Sequence, residues 1–488
     1  MKKNKIFIFI ACTSLLFATS CKKFLEHQPD DRTELTTPVN VSELLANAYP
    51  HASYITMAES MSDNAEDKGT GGKDIPNYYA WSFRDQVDSE SEDTPGFYWN
   101  ACYKAIAAAN YALEAIDKAG NTKEYSASRG EALVARAYSH FMLVNFFAKA
   151  YDPKTAANDL GIPYVTLPQK TVEGKYTRGT VESVYANIEK DLLEGLPLIK
   201  DNSYRIPKYH FTVRAANAFA TRFYLFKKEY EKVVDHANNV YPTATIGDYL
   251  RKWNTVYNTL GYLEFQAIYT DSKEPANLLL QEAKTYWGSS YPVYNYALTI
   301  NAYLNIYSAT GNPARKVFPV ANQAYGNDLT VHAPKFREHI VKQTISANFG
   351  DEYNMIPLFT TEEVLFNRAE ANAMLGKNAD AIADIDVLLS KRIEGYSPTA
   401  DKFTEAKATA FFKGSTASNA LVSSVIAFKR IEYVHEGMRW FDLIRLKIPF
   451  THNSIDGKTQ ISIGADDPRK VLQIPETAIA NGLEPNPR

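Results

Sequence analysis

Along much of this chain apolar residues return at steps of three and four, the spacing that turns one face of a helix toward a core. In "FYWNACYKAIAAANYALEAIDKAG", Cys102, Ile106, Ala109, Leu113 and Ile116 share one stripe, and Gly120 ends it. That pattern predicts an amphipathic helix with a glycine stop. The next stretch, "SASRGEALVARAYSHFMLVNFFAKAYD", repeats it with Ala132, Ala135, Tyr138, Met142 and Phe146, and Ser126 or Ser128 offers a cap. Two such helices on a short polar link form an antiparallel hairpin. Residues 152–179 then become rich in Pro, Gly and Thr, which reads as an irregular crossing. Helix resumes in "TVESVYANIEKDLLEGLPLI", with Thr180 as cap and charge spread outward from Glu182 to Glu194.

Two later segments look related, "TVRAANAFATRFYLFKKEYEKVVDHANNVYP" and "TEEVLFNRAEANAMLGKNADAIADIDVLLSKR". Each has a first helix, a short polar turn ("FKKE", "LGKN") and a second helix opening at Tyr230 or Asn378. Ala369 and Ala381 stand twelve apart, as do Thr221 and Val233, where tetratricopeptide hairpins place small residues for close helix approach. Several such hairpins predict a helical repeat frame, with a generic helix bundle as the alternative. Between the hairpins the texture changes. Residues 60–97 and 255–360 are rich in turns and aromatic rings, as loops erected on a frame would be. Within them "EFQAIYT", Glu264 to Thr270, alternates enough to be a candidate strand.

The N-terminus carries Lys2, Lys3 and Lys5, then an apolar run from Ile6 to Phe17, then Ala18, Thr19 and Ser20 ahead of Cys21. This is the layout of an export signal, too short to span a bilayer before Lys22 and Lys23 end it. Small residues directly before a cysteine resemble a lipobox, with Ala18 where a large aliphatic residue is usual. The signal is therefore expected over residues 1–20, and Cys21 is expected to carry lipid, the alternative being an ordinary cleaved signal and a free thiol. Acyl chains contribute about 0.8 kcal/mol per buried methylene, enough together to hold a protein on a membrane. Loss of the leader removes three lysines and moves the formal charge from -3 to -6. An acidic chain of this kind does not court nucleic acid. Cys102 is then the only thiol besides Cys21, so no internal disulfide framework is available.

Familiar chemistry is mostly missing. "GTGGK", Gly69 to Lys73, lacks the glycine and the hydroxyl residue that a phosphate loop needs, with Asp67 and Asp74 in those places. The 9 histidines make no metal-binding pair, so no metal and no cofactor is expected. "DQVDSESED" lacks the alternating ligands and central glycine of a calcium loop. Paired carboxylates for glycoside hydrolysis leave no mark at sequence level, so an exported hydrolase stays open.

The aromatic content is more telling, with 32 Tyr and 25 Phe. A flat ring covers the C–H face of a sugar while neighbouring hydroxyls, amides and guanidiniums bond its hydroxyl groups. Tyr78, Tyr79, Trp81 and Arg84 form one candidate cluster, and Tyr286, Trp287, Tyr291, Tyr294, Asn295 and Tyr296 another. Each ring has core packing as its alternative role. Trp99, Tyr103 and Trp440 are assigned to the core.

The segment "FKRIEYVHEGMRWFDLIRLK", Phe428 to Lys447, closely resembles the C-terminal signature of SusD/RagB-like nutrient-binding lipoproteins of Bacteroidetes. The matching positions are Glu436, Gly437, Arg439, Trp440, Phe441, Asp442, Leu443 and Arg445, read here as architecture and not as a ligand site. "CKKFLEHQP", "EEVLFNRAEANAMLG" and the closing "VLQIPETAIANGLEPNPR" follow in the family's order. The resemblance implies a mainly α-helical SusD-like domain over residues 21–488. Its tetratricopeptide-like hairpins are expected mainly at 98–150, 180–240, 361–392 and 420–447, supporting a variable, loop-rich ligand-binding face. It also implies a lipid-anchored protein of the outer-membrane surface that captures glycan and passes it to a TonB-dependent SusC-like transporter without catalysis. A peptide-binding RagB-like role is the alternative within the family, and a purely structural scaffold is a further one. Tyr79, Trp81, Arg84, Tyr286, Trp287, Tyr291 and Asn295 are the expected ligand contacts, an inference from the residues themselves.

Overall fold

The computed structural model describes residues 35–488 apart from 73, 87–90, 170–175, 320–322, 325–330, 343 and 345–346. Cys21, with the leader and tether, lies outside the described residues. After an opening helix, Pro38–Leu45, come two further short ones, Ile55–Met61 (α1) and Ile75–Ser82 (α2). Pro95–Lys118 (α3) and Ser126–Phe147 (α4) form a hairpin, against which Val181–Gly195 (α5) packs. Val213–Lys227 (α6) pairs with Tyr230–Val240 (α7), and Thr361–Met374 (α8) with Asn378–Leu389 (α9). Ala417–Glu432 (α10) leads through a tight bend into Met438–Arg445 (α11).

Threonine is the recurrent helix opener. Thr94, Thr180, Thr212, Thr360 and Thr416 accept the backbone N–H three residues on at 3.1–3.4 Å, each removing one unpaired donor. Neither serine expected to cap α4 does so, because a 3₁₀ turn at Lys123–Tyr125 runs straight into that helix. The expected stripes are buried, and α4 goes further. Every residue from Gly130 to Phe147 is buried, as is every residue of α8 from Thr361 to Ala373. A helix enclosed on all sides must satisfy its polar side chains internally. Accordingly Arg136 makes two 2.7 Å bonds to Asp191, Glu131 accepts the Tyr49 hydroxyl, and Arg222 pairs with Glu363.

The two related hairpins turn alike. Lys228 takes a left-handed φ of 64° after α6, and Gly376 takes 73° after α8. Ala369, Ala381, Thr221 and Val233 are all buried, as close helix approach requires. Between these hairpins Asn277–Lys284 (β1), Glu338–Val341 (β2) and Asp351–Thr360 (β3) form an antiparallel sheet with β3 central. Thr360 ends that strand and caps α8. The candidate strand at Glu264–Thr270 is instead part of a helix, Tyr262–Tyr269, with Phe265 and Tyr269 buried four residues apart. Four is a helical step, and it outweighed the local alternation.

The Phe428–Lys447 segment is a knot of buried charge. Gly437 has φ of 70° where an added Cβ would lie 3.0 Å from Ala58 Cβ, so only glycine makes the bend without strain. Glu59 on α1 accepts the backbone N–H groups of His435 and Gly437 at 2.9 and 3.0 Å. Burial pushes the Glu59 carboxyl up, but the bonds and charge from His435 leave it below its usual range. Arg439 makes two 2.8 Å bonds to Asp63, and Arg445 bridges Asp442 and Glu370. Glu436 holds Lys335 and the Tyr269 hydroxyl at 2.6 Å each, while Trp440 and Phe441 fill the core beside them.

Candidate functional site

The two aromatic regions, about two hundred positions apart in sequence, are stitched together. Glu66 and Asp67 pair antiparallel with Ala297 and Tyr296. Further along, Gly72 N–H donates to Val293 O at 2.8 Å and Asn295 N–H to Gly72 O at 3.1 Å. The chains approach so closely at Gly71, φ of 119°, that a Cβ there would lie 2.8 Å from Val293 O. The Asn295 amide donates to Asp67 at 2.8 Å.

Three side chains peg this junction. Asn77 on α2, capped by Asp74, donates to Ser60 Oγ and Tyr296 O at 2.8 Å and accepts Tyr296 N–H. Asp93 accepts Thr285 Oγ–H at 2.6 Å and Tyr286 N–H at 3.0 Å. Asn354 on β3 accepts Gly288 N–H at 2.8 Å. Asp93 takes a left-handed φ of 64° to make its reach. Burial pushes its pKa up to about 7, against hydrogen bonds from Thr285, Tyr286 and Thr56 that favour the anion. None of the pegs was singled out in the sequence, since each acts on residues far away along the chain.

The expected ligand residues divide by exposure. Trp81, Trp287, Tyr291 and Asn295 are only 2%, 2%, 1% and 3% exposed, so in this conformation they offer no face to a ligand, contrary to expectation. Each indole has a partner within: Trp81 Nε1–H donates to Ala65 O, and Trp287 Nε1–H to His435 O at 3.0 Å. With that donor satisfied, the large apolar ring gains most by burial. Trp81 lies between Tyr296 and His452, stacked on both at 4.7 and 5.4 Å. Tyr291 packs 4.1 Å from the His435 ring and its hydroxyl accepts Leu298 N–H. The signature bend therefore supports the 285–297 segment from beneath.

Tyr79, Arg84 and Tyr286 reach the surface. Tyr286 is 45% exposed, and Glu92, Lys284, Glu352 and Asp351 act on it electrostatically. Lys284 bridges Glu92 and Asp351 at 2.6 and 2.9 Å. Ser289 Oγ–H donates to Glu352 at 2.5 Å, and His339 stacks on Tyr353 nearby on the sheet. Arg84 lies 5.1 Å above the Tyr78 ring and lines a small recess with Tyr79, Met57 and Pro95. Exposed rings framed by carboxylates, an amine, a guanidinium and hydroxyls can cover an apolar face and bond the polar rim around it. Among the described residues no group of three or more His, Cys, Asp or Glu side chains is placed to hold a metal ion. No helix among them is long and apolar enough to cross a membrane.

Residues 224–477 match the SusD family profile, and residues 23–225 match the related profile described as starch-binding associating with outer membrane. The chain belongs to the SusD family. Its fold is similar to that of a SusD-superfamily crystal structure from Bacteroides thetaiotaomicron, at 20% identity and a TM-score of 0.65, covering 93% of this chain and 100% of that one. A putative sugar binding protein from Bacteroides vulgatus matches at 20% identity and a TM-score of 0.70, over 93% and 99% of the two chains. A SusD-like carbohydrate binding protein from the same species matches at 17% identity and 0.65, over 91% and 96%. Among curated proteins none matches the chain.

Proposed function

We propose that this SusD-family protein is a non-catalytic glycan-binding component of an outer-membrane uptake system, held at the cell surface by acylated Cys21. Its captured oligosaccharide would pass to a TonB-dependent SusC-like transporter. The observation that carries the binding role is the exposed Tyr286 ring, set among Lys284, Glu92, Asp351 and Glu352 and held rigidly from below. Tyr79 and Arg84 are the second contact point proposed, while Trp81, Trp287, Tyr291 and Asn295 are proposed to act as supports. The similar solved structures described as sugar or carbohydrate binding proteins support the same ligand class.

Three of the carboxylates near the ring are already engaged. Glu92 and Asp351 share one lysine, and both oxygens of Asp93 are occupied inside the fold. A hydrolytic acid must reach the glycosidic oxygen, and Asp93, held by both oxygens inside the fold, does not. Calorimetric titration with host and plant oligosaccharides tests the reading. Saturable binding that Tyr286→Ala weakens about tenfold, with the melting temperature unchanged, is expected. Binding of extended peptides alone, or release of new reducing ends, overturns it. For the anchor, Cys21→Ala is expected to release the protein from the membrane fraction.

A further inference from the structure

A second cleft, of about 460 Å³, opens where helix Ile300–Tyr307, the Phe411–Phe412 turn, α10 and α11 meet. It shares no residue with the aromatic junction. Its walls are mainly apolar, among them Ile306, Phe411, Phe412 and Ile426, and among the described residues the only charged ones lining it are Arg430 and Arg439. Pockets of this size suit small organic molecules.

Both guanidiniums lean on one carboxylate. Arg439 spends Nε–H and Nη2–H on Asp63. Arg430 donates through Nε to Asn64 and through Nη2 to the Asp63 carbonyl, and its Nη1 comes only within 3.5 Å of the Asp63 carboxylate. Glu59 and Glu66 also act on Arg430. Glu59 is engaged with the backbone at His435 and Gly437, and Glu66 with the Thr299 hydroxyl. Arg430 and Arg439 share Asp63 as their directly bonded carboxylate, which leaves guanidinium N–H donors at the end of an apolar slot. Of its lining rings, Phe411 and Phe412 meet edge to face at 4.8 Å, and Arg315 lies 4.8 Å above Phe411. That arrangement extends naturally to a third ring.

We propose that this cleft binds an aromatic monocarboxylate, its ring against Phe411, Phe412 and Ile426 and its carboxylate on the free N–H groups of Arg430 and Arg439.

The probe is 3-phenylpropionate, titrated into the purified protein by ligand-observed NMR, with 3-phenylpropanamide as its neutral counterpart. The acid is expected to bind with a dissociation constant of about 1 mM or tighter, and the amide at least about tenfold more weakly, since a charge-assisted bond is worth about 1.5–3 kcal/mol. Ala427→Trp, which fills the cleft, is expected to abolish binding while the melting curve stays intact, and Arg430→Gln to weaken it about tenfold. Ser423→Trp, on the same wall, gives the same loss should the first filling variant fold poorly. Equal affinity for acid and amide, binding untouched by both filling variants, or no binding at about 10 mM overturns the proposal.

Discussion

Asp93→Asn is the most informative single change. Asp93 is buried, and desolvation moves its carboxyl from 3.8 to about 7, with Asp74 adding a smaller upward push. Hydrogen bonds from Thr285, Tyr286 and Thr56 act in the opposite direction. The folded protein therefore keeps a proton that the unfolded chain releases. Stability linked to this group is complete below about pH 4 and is lost as pH rises through about 7. A displacement of that size corresponds to about 4 kcal/mol between the two ends of the window, taken as an upper bound. Asparagine is neutral throughout, keeps one acceptor for the 285–286 segment and tolerates the left-handed backbone better than most residues. Urea unfolding of the wild type and the variant, at half-unit steps from about pH 4 to 8, isolates the effect, since every other group titrates in both proteins. The variant is expected to match or trail the wild type at the acid end and to gain about 2–4 kcal/mol over it at the alkaline end. A difference between the two that stays flat with pH, or that shrinks, would refute the account of a desolvated carboxyl.

Trp81→Ala removes a ring enclosed between Tyr296 and His452 and is expected to cost about 3–5 kcal/mol by chemical denaturation, whatever it does to ligand. Gly437→Ala forces a Cβ into a left-handed position against Ala58 and Tyr54, which is expected to lower stability by about 1–3 kcal/mol, read as a drop in melting temperature. Arg445→Ala strands the buried carboxylate of Glu370, leaves Asp442 to Lys429 alone, and is expected to cost about 3–5 kcal/mol, with partial recovery when Glu370→Gln is added.

The helical frame was legible because its evidence is local. The stripe through Cys102, Ile106, Ala109, Leu113 and Ile116, the Thr180 cap and the starts at Tyr230 and Asn378 all reappear in the structure. Glu264–Thr270 is a candidate strand in sequence because short alternation competes with the four-residue spacing of Phe265 and Tyr269, and burial of both rings goes with the helix. The junction was legible only as two clusters. Nothing in either segment says which rings face inward, since that depends on whether a carbonyl such as Ala65 O or His435 O waits for the indole N–H. Asn77, Asp93 and Asn354 carried no signal for the same reason, each being an ordinary polar residue until its distant partner arrives.

The way the 285–290 segment is fastened has a consequence for diversification. Thr285, the Tyr286 amide and the Gly288 amide engage Asp93 and Asn354 through backbone or near-backbone groups, while the outward side chains at Tyr286 and Ser289 are not needed for those fastenings. New chemistry can be installed at those two positions, in nature or at the bench, without rewriting the helices below. A library randomised there should yield folded proteins at high frequency and altered cargo preferences among them.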